Sequence, residues 1–329
     1  MTVQGPREAN DPWKVAQQVV VALAERQQQD RREDADELAA RLGREPVEKI
    51  MPWLSIMPEE LAAVTIVRAQ GSEDSQASDT AQKVLSIYAL PGGLPGIDNS
   101  ANARIMARYF LLMKQDAAED CIARLWGDQP VVIYREIAEF DPRAAASIFA
   151  GYPPAREALA DVLSKVDYNA TFRDAYDLRQ QGRTKEAFMA LAKAIAKNPQ
   201  EVAPYTNMGN LFNDMGLEEL AVNEYKRSTE MDPEQGNAWY CLGCLYMSFK
   251  VFECGGRKAE IIMYPEAIRA FKKAIEINPD DVDARLNLGV AFAETGRIDE
   301  AKEQFRRVLE LAPDDELALK HLRTMESSK

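Results

Sequence analysis

The chain is expected to be all-α: a stack of antiparallel helix pairs preceded by an irregular helical domain. Four prolines keep a beat. Pro199 and Pro233 are 34 residues apart, as are Pro279 and Pro313, whereas Pro233 and Pro279 are separated by 46, one period plus 12. Alanines repeat the spacing, with 34 from Ala187 to Ala221, 46 to Ala267 and 34 to Ala301. A 34-residue period marks stacked helix pairs. In residues 1–167 the beat is absent, but helical periodicity is common and no useful strand-like alternation occurs.

In that first region apolar spacing predicts helices over Pro12 to Asp30, Ala35 to Leu42, Pro58 to Ala69, Asp79 to Tyr88 and Ala101 to Lys114. Further helices are expected over Ala117 to Trp126, Pro130 to Phe140, Arg143 to Phe149 and Pro154 to Val166. Asp11-Pro12, Pro58-Glu-Glu, Asp141-Pro142 and Pro153-Pro154 place proline or acids in a first turn, where the missing N–H costs nothing and the helix dipole favours negative charge. Breaks are expected near 71–78, a polar linker, and near 91–100. The second is glycine-rich, yet it lacks the Lys-Ser/Thr ending of a phosphate loop and follows no strand.

The repeats divide as 168–201, 202–235, 236–281 and 282–315, with a cap helix and tail over 316–329. The second carries Tyr205, Met208-Gly209, Phe212, Ala221, Tyr225 and Asp232-Pro233. The third carries Trp239, Leu242-Gly243, Tyr246, Ala267, Phe271 and Asn278-Pro279, and the fourth Leu288-Gly289, Phe292, Ala301, Phe305 and Ala312-Pro313. Gly209, Gly243 and Gly289 are expected where helices cross too closely for a larger side chain, with aromatics filling the space beside them. Gly182, Gly216 and Gly296 are expected to supply the positive φ that ends each first helix. In the first repeat Thr171 and Asp174 replace the large apolar residues, so its first helix is expected to pack on the preceding segment. Leu317, Leu319 and Leu322 suit the solvating cap that stacks require.

These residues resemble the tetratricopeptide repeat family, with its W-x2-L-G-x2-Y, A-x3-F and closing proline. The resemblance implies a right-handed superhelix of helix hairpins. It also implies a concave groove, lined by the first helices, that takes an extended peptide or a helix. Carried over by alignment, the groove residues are Thr206, Asn207, Asn210, Asn213, Tyr240, Cys244, Met247, Leu286, Asn287, Val290 and Glu294. Asparagines would satisfy a bound backbone, and Tyr240, Met247, Leu286 and Val290 would supply apolar area. The basic clamp that related proteins use for chaperone C-termini is absent, its positions being Phe172, Asn237 and Cys241.

The extra 12 residues fall between Tyr246 and Ala267, with Gly255-Gly256 as the expected tip and both helices lengthened by a turn or two. Two readings stand. Phe249, Phe252, Ile261, Ile262 and Tyr264 pack locally with Met263, or they form an apolar protrusion that touches a partner or a second copy.

A net charge of −13 and a pI near 4.8 argue against nonspecific binding to nucleic acid or anionic membrane. Neither half hides a basic module, since 18 basic and 26 acidic residues precede position 168, and 22 and 27 follow. The start has no basic cluster, and the Val19–Ala24 run is too short for a signal core or a span. Four cysteines (Cys121, Cys241, Cys244, Cys254) are too few for a disulfide framework and fit a reducing cytoplasm.

Chemistry finds little foothold. His321 is the sole histidine and falls in the cap helix. Cys241-x-x-Cys244 with Cys254 would still lack a fourth metal ligand, so buried small side chains explain these cysteines more simply. The acidic pairs Glu218-Glu219 and Asp280-Asp281 suit helix starts. No catalytic residue, metal or cofactor is expected. The expected function is a cytoplasmic, non-enzymatic scaffold binding a protein or peptide, without nucleic acid or membrane insertion. The alternatives are a self-assembling homo-oligomer joined by the N-terminal helices or residues 249–264, and an enzyme with a site in the N-terminal region.

Overall fold

The computed structural model describes residues 11–31, 35–45, 47–55, 57–88, 99–113, 118, 131–148, 153–248, 250–254 and 257–327. They form two compact units, residues 1–199 and 200–329. The expected helix at 117–126, with Cys121, and the glycine-rich stretch 91–96 lie outside the described residues.

The first unit contains α1 (Pro12–Arg31), α2 (Ala35–Leu42), α3 (Val47–Ser55), α4 (Glu59–Gln70), α5 (Ser75–Tyr88) and α6 (Asn99–Leu112). It continues with α7 (Val131–Phe140), α8 (Pro142–Ile148), α9 (Pro153–Ser164), α10 (Tyr168–Gln180) and α11 (Thr184–Lys197). At its centre lies α4, buried without interruption from Glu60 to Ile66 and touching α1, α2, α5 and α6. A helix apolar on every side belongs inside. Thr65 fits there because its hydroxyl donates to the Leu61 carbonyl at 2.8 Å.

Two expectations for this unit are corrected. Residues 71–78 are only half a linker, because α5 begins at Ser75. Asp74 Oδ1 accepts the Gln76 amide at 2.9 Å, and Ala77 and Ala81 are fully buried behind it. The polar run is therefore a capped helix start. The division also falls one hairpin later than residue 167, at Pro199. Side-chain contacts explain why. Phe188 of α11 packs on Phe140 of α7 with ring centres 5.2 Å apart, Arg26 donates to the Thr184 hydroxyl, and Lys193 pairs with Glu139.

It is the second helix of this hairpin that is anchored. α11 buries seven residues, among them Ala187, Phe188 and Leu191, whereas α10 buries only Ala175. The departures Thr171 and Asp174 leave α10 mostly outside the core.

The second unit runs in hairpins. These are α12 (Ala203–Asp214) with α13 (Glu218–Met231), α14 (Gly236–Met247) with α15 (Tyr264–Ile277), and α16 (Val282–Glu294) with α17 (Ile298–Leu311), followed by α18 (Glu316–Ser327). Each helix packs on the next in chain order. The architecture is the all-α stack that the proline beat predicts. Gly182, Gly216 and Gly296 have φ of 71°, 73° and 75°. A Cβ on Gly209, Gly243 or Gly289 would lie 2.7, 2.4 or 2.8 Å from the ring of Tyr225, Phe271 or Phe305, so close crossing requires glycine there. α18 covers α17 through Ala318 and through His321, whose ring stacks on Phe305 at 4.9 Å.

Two helix starts of this unit, those of α16 and α18, are capped by acids. Asp281 Oδ1 accepts the Ala284 amide at 2.9 Å, and Asp315 Oδ1 accepts the Ala318 amide at 2.7 Å. Asp281→Ala is expected to lower unfolding free energy by about 1 kcal/mol, read from a urea melt against Asp283→Ala, which caps nothing.

The insertion differs from expectation. Neither helix is lengthened: α14 has 12 residues and α15 has 14, the same as α12 and α13. The extra chain is a two-stranded antiparallel hairpin, β1 (Lys250–Cys254) and β2 (Arg257–Ile261), paired from Lys250↔Ile261 to Cys254↔Arg257. Ser248 turns extended at ψ 151°, ending α14, and the Met263 amide donates to the Tyr246 carbonyl at 3.0 Å across the hairpin base. Two five-residue runs about Gly-Gly, with Val, Phe and Ile among them, favour a ladder over a helix. Phe249, Gly255 and Gly256 lie outside the described residues.

Candidate functional site

The first helices of the second unit, α12, α14 and α16, repeat along one face of the stack. On α14, Tyr240, Cys244 and Met247 fall at helical spacing, and on α16, Leu286, Val290 and Ala293 do the same. All six pack partly on the buried cluster of Phe271, Leu288, Phe292 and Phe305, and all remain half exposed. The result is an apolar stripe resting on a rigid core. The Asn287 amide reaches the Tyr240 hydroxyl at 3.5 Å and ties the two helices together.

The α12 edge is occupied differently. Thr206 is 8% exposed, and its hydroxyl shares a 2.7 Å hydrogen bond with Ser228 of α13. It is not a groove residue; the correction follows from the facing serine, which makes a buried hydroxyl inexpensive. Asn210 Oδ1 accepts the Tyr225 hydroxyl at 2.7 Å, with the Cys241 thiol 4.0 Å away, so its acceptor is already engaged within the fold. Asn207 donates to the Ala203 carbonyl at 2.9 Å. Asn213 and Glu294 are exposed.

Of the expected second contact, Phe249 lies outside the described residues. Phe252 pairs with Ala259 and Ile261 with Lys250 across the hairpin. Ile262 is half buried. Tyr264 belongs to the cluster under the stripe; burial and nearby Glu294 raise its hydroxyl pKa.

The thiols are quiet. Cys241 and Cys244 are half buried and form no disulfide among the described residues. Burial pushes the Cys244 thiol up to about 11, against the lowering effect of its hydrogen bond with Tyr240. At neutral pH that group is a neutral thiol, a poor nucleophile and metal ligand. Burial, with Cys244 next, also raises the Tyr240 hydroxyl. Among the described residues no three His, Cys, Asp or Glu side chains are placed to hold a metal ion.

Sequence reading passed over two features. A cleft of about 330 Å³ in the first unit lies against α10 and α11, floored by Val166, Leu178 and Met189 and edged by the Lys193–Glu139 pair. On α10 the Tyr168 and Phe172 rings stack at 6.1 Å, and Tyr176 one turn on is 54% exposed. The i, i+4 spacing of these aromatics was the available signal. No helix among the described residues is long and apolar enough to cross a membrane.

Comparison with known proteins agrees with the repeat geometry. Tetratricopeptide repeat family models match residues 202–235 and 263–325. The small glutamine-rich tetratricopeptide repeat-containing protein 2 of Mycosarcoma maydis is 30% identical over 95 residues, 29% of this chain and 24% of that protein. Superkiller protein 3 of Schizosaccharomyces pombe is 22% identical over 171 residues, 42% of this chain and 12% of that protein. The chain thus spans a quarter or less of the length of these relatives. Among solved structures, MamA aligns at a TM-score of 0.40 and 20% identity, covering 51% of this chain and 92% of that one.

Proposed function

We propose that this chain, in which residues 202–235 and 263–325 are tetratricopeptide repeats, is a non-catalytic cytoplasmic scaffold. It holds a peptide or helix of a partner protein on the face of α14 and α16 and so serves the assembly of a larger complex. One observation carries this reading: the half-exposed stripe of Tyr240, Met247, Leu286 and Val290, backed by a fully packed core. Apolar side chains held rigidly at a surface lose little freedom when covered, which is what makes a contact energetically productive.

The test is affinity capture with mass spectrometry, comparing the natural chain with Leu286→Arg and Val290→Glu. Both positions are half exposed, so the fold should tolerate the changes, which circular dichroism would verify. Loss of the same set of proteins in both variants, by tenfold or more, is the expected result. An unchanged set would move the contact to another surface. Asn210→Ala is a poor probe, because it strips the Tyr225 hydroxyl of its acceptor and perturbs packing as well.

Self-assembly is a second reading, and the β1–β2 hairpin favours it. Among the described residues the two-stranded ribbon has no further strand on either outer edge, a template for pairing with another chain. Light scattering across micromolar concentrations separates the two, since a strict monomer removes this alternative.

A further inference from the structure

The helices of the stripe carry three acids and a single cation. α14 carries no charged residue from Gly236 to Met247, and α12 carries only Asp214. On α16 the charged residues are Asp283, Arg285 and Glu294. Arg285, the one cation on these three helices, is committed elsewhere. Its guanidinium donates to the Pro279 carbonyl at 2.6 and 2.8 Å and to Gln304 of α17 at 3.3 Å. Asp281 and Asp283 lie close enough to act electrostatically on Tyr240 and Cys244 at one end of the stripe, and Glu294 acts on Tyr264 at the other. Asp283 and Glu294 are exposed, and among the described residues neither is in an ion pair. At about 1.5 Å of rise per residue, the two stand roughly 16 Å apart along α16.

An acidic peptide would meet repulsion at both ends, where the one cation of these helices is already engaged, while a neutral one would leave the carboxylates unanswered. Resting on the groove reading above, we propose that the occupant is a partner segment with an apolar centre flanked by lysine or arginine on both sides. The apolar centre covers Leu286, Val290 and Met247, and the flanking cations answer Asp283 and Glu294. In extended form about five residues span the distance between the acids, at about 3.3 Å each. The negative charge of the whole chain, −13, would raise the encounter rate of such a segment at low salt.

The test is display of random twelve-residue peptides against the full chain, against Leu286→Arg, and against Asp283→Lys combined with Glu294→Lys. The expected result is enrichment of peptides with cations flanking apolar residues. Leu286→Arg should abolish the enrichment, and the double lysine variant should shift it at least tenfold toward acidic flanks. Enrichment that depends on Leu286 but shows no preference for cations overturns the charge inference and leaves the groove standing. Cationic peptides retained by Leu286→Arg would mean diffuse surface attraction, and no enrichment at all would mean the face takes no short segment; either removes both readings. A change in mass by light scattering between the natural chain and the double lysine variant would identify a second copy as the occupant and overturn the proposal.

Discussion

Arg108→Ala is expected to destabilise the first unit by about 3 kcal/mol, the low end of the cost of removing one partner from a buried ion pair, because Glu60 keeps Lys185. Glu60 is fully buried, Arg108 is 2% exposed, and their charged groups meet at 3.2 Å. The guanidinium also lies over the Phe140 ring at 4.0 Å. Lys185 of α11 reaches Glu59 at 2.5 Å and Glu60 at 2.8 Å, Gln27 donates to Glu60 at 3.0 Å, and Arg104 donates to Glu59 at 2.8 Å. Four helices far apart in sequence are tied by this one network. Arg108→Met with Glu60→Gln should recover much of the loss, because the cost lies in a buried charge left with weaker compensation and not in the absence of a bridge. A denaturant melt of both variants decides it; a double variant no better than Arg108→Ala would count against this account.

The same network sets a dependence on pH. Burial works to raise the Glu59 carboxyl, but Lys185 and Arg104 outweigh it and hold the group at about 2. Glu60 is also lowered, by Arg108, Lys185 and Gln27 against its burial. A carboxyl depressed in the folded state contributes stability that is present above its ordinary value near 4.5 and is lost as pH falls toward the folded value. Glu136, raised by burial despite Arg108 and Arg104, works the other way and softens the change. The melting temperature should therefore fall between pH 4.5 and 2, and Lys185→Ala should flatten that dependence.

Gly243→Ala is expected to destabilise the second unit by about 2 kcal/mol, against the usual benefit of alanine in a helix. Removing a helical glycine gains about 1 kcal/mol, whereas forcing an atom into a filled core costs about 1–3 kcal/mol or more. Here the new Cβ would stand 2.4 Å from the Phe271 ring, which is fully buried. The clash wins. Gly243→Ala with Phe271→Leu should show a favourable coupling of at least 1 kcal/mol. Additive losses would mean the glycine matters for another reason.

What the sequence made legible follows from distance along the chain. Gly209 with Tyr225 and Gly289 with Phe305 share an offset of 16 residues, and Gly243 with Phe271 has the same offset plus the 12 inserted residues, so spacing placed them on crossing helices. Arg108 and Glu60 are 48 positions apart in a region without a period, and nothing local pairs them. α3 went unseen because it is only nine residues long and has Pro52 within it. For the face, the apolar positions on α14 and α16 were readable from the repeat columns. Thr206 and Asn210 were not, because those columns do not reveal that Ser228 and Tyr225 of the facing helix claim them first.

The β1–β2 ribbon returns its chain to where it left, Lys250 opposite Ile261, with Tyr246 and Met263 joined just beneath. To the stack such an insertion is a detour with no net displacement: α14 and α15 meet as the other pairs do. The turn between them is thus a socket, where sequence can be exchanged, shortened or grafted without retuning the repeats on either side.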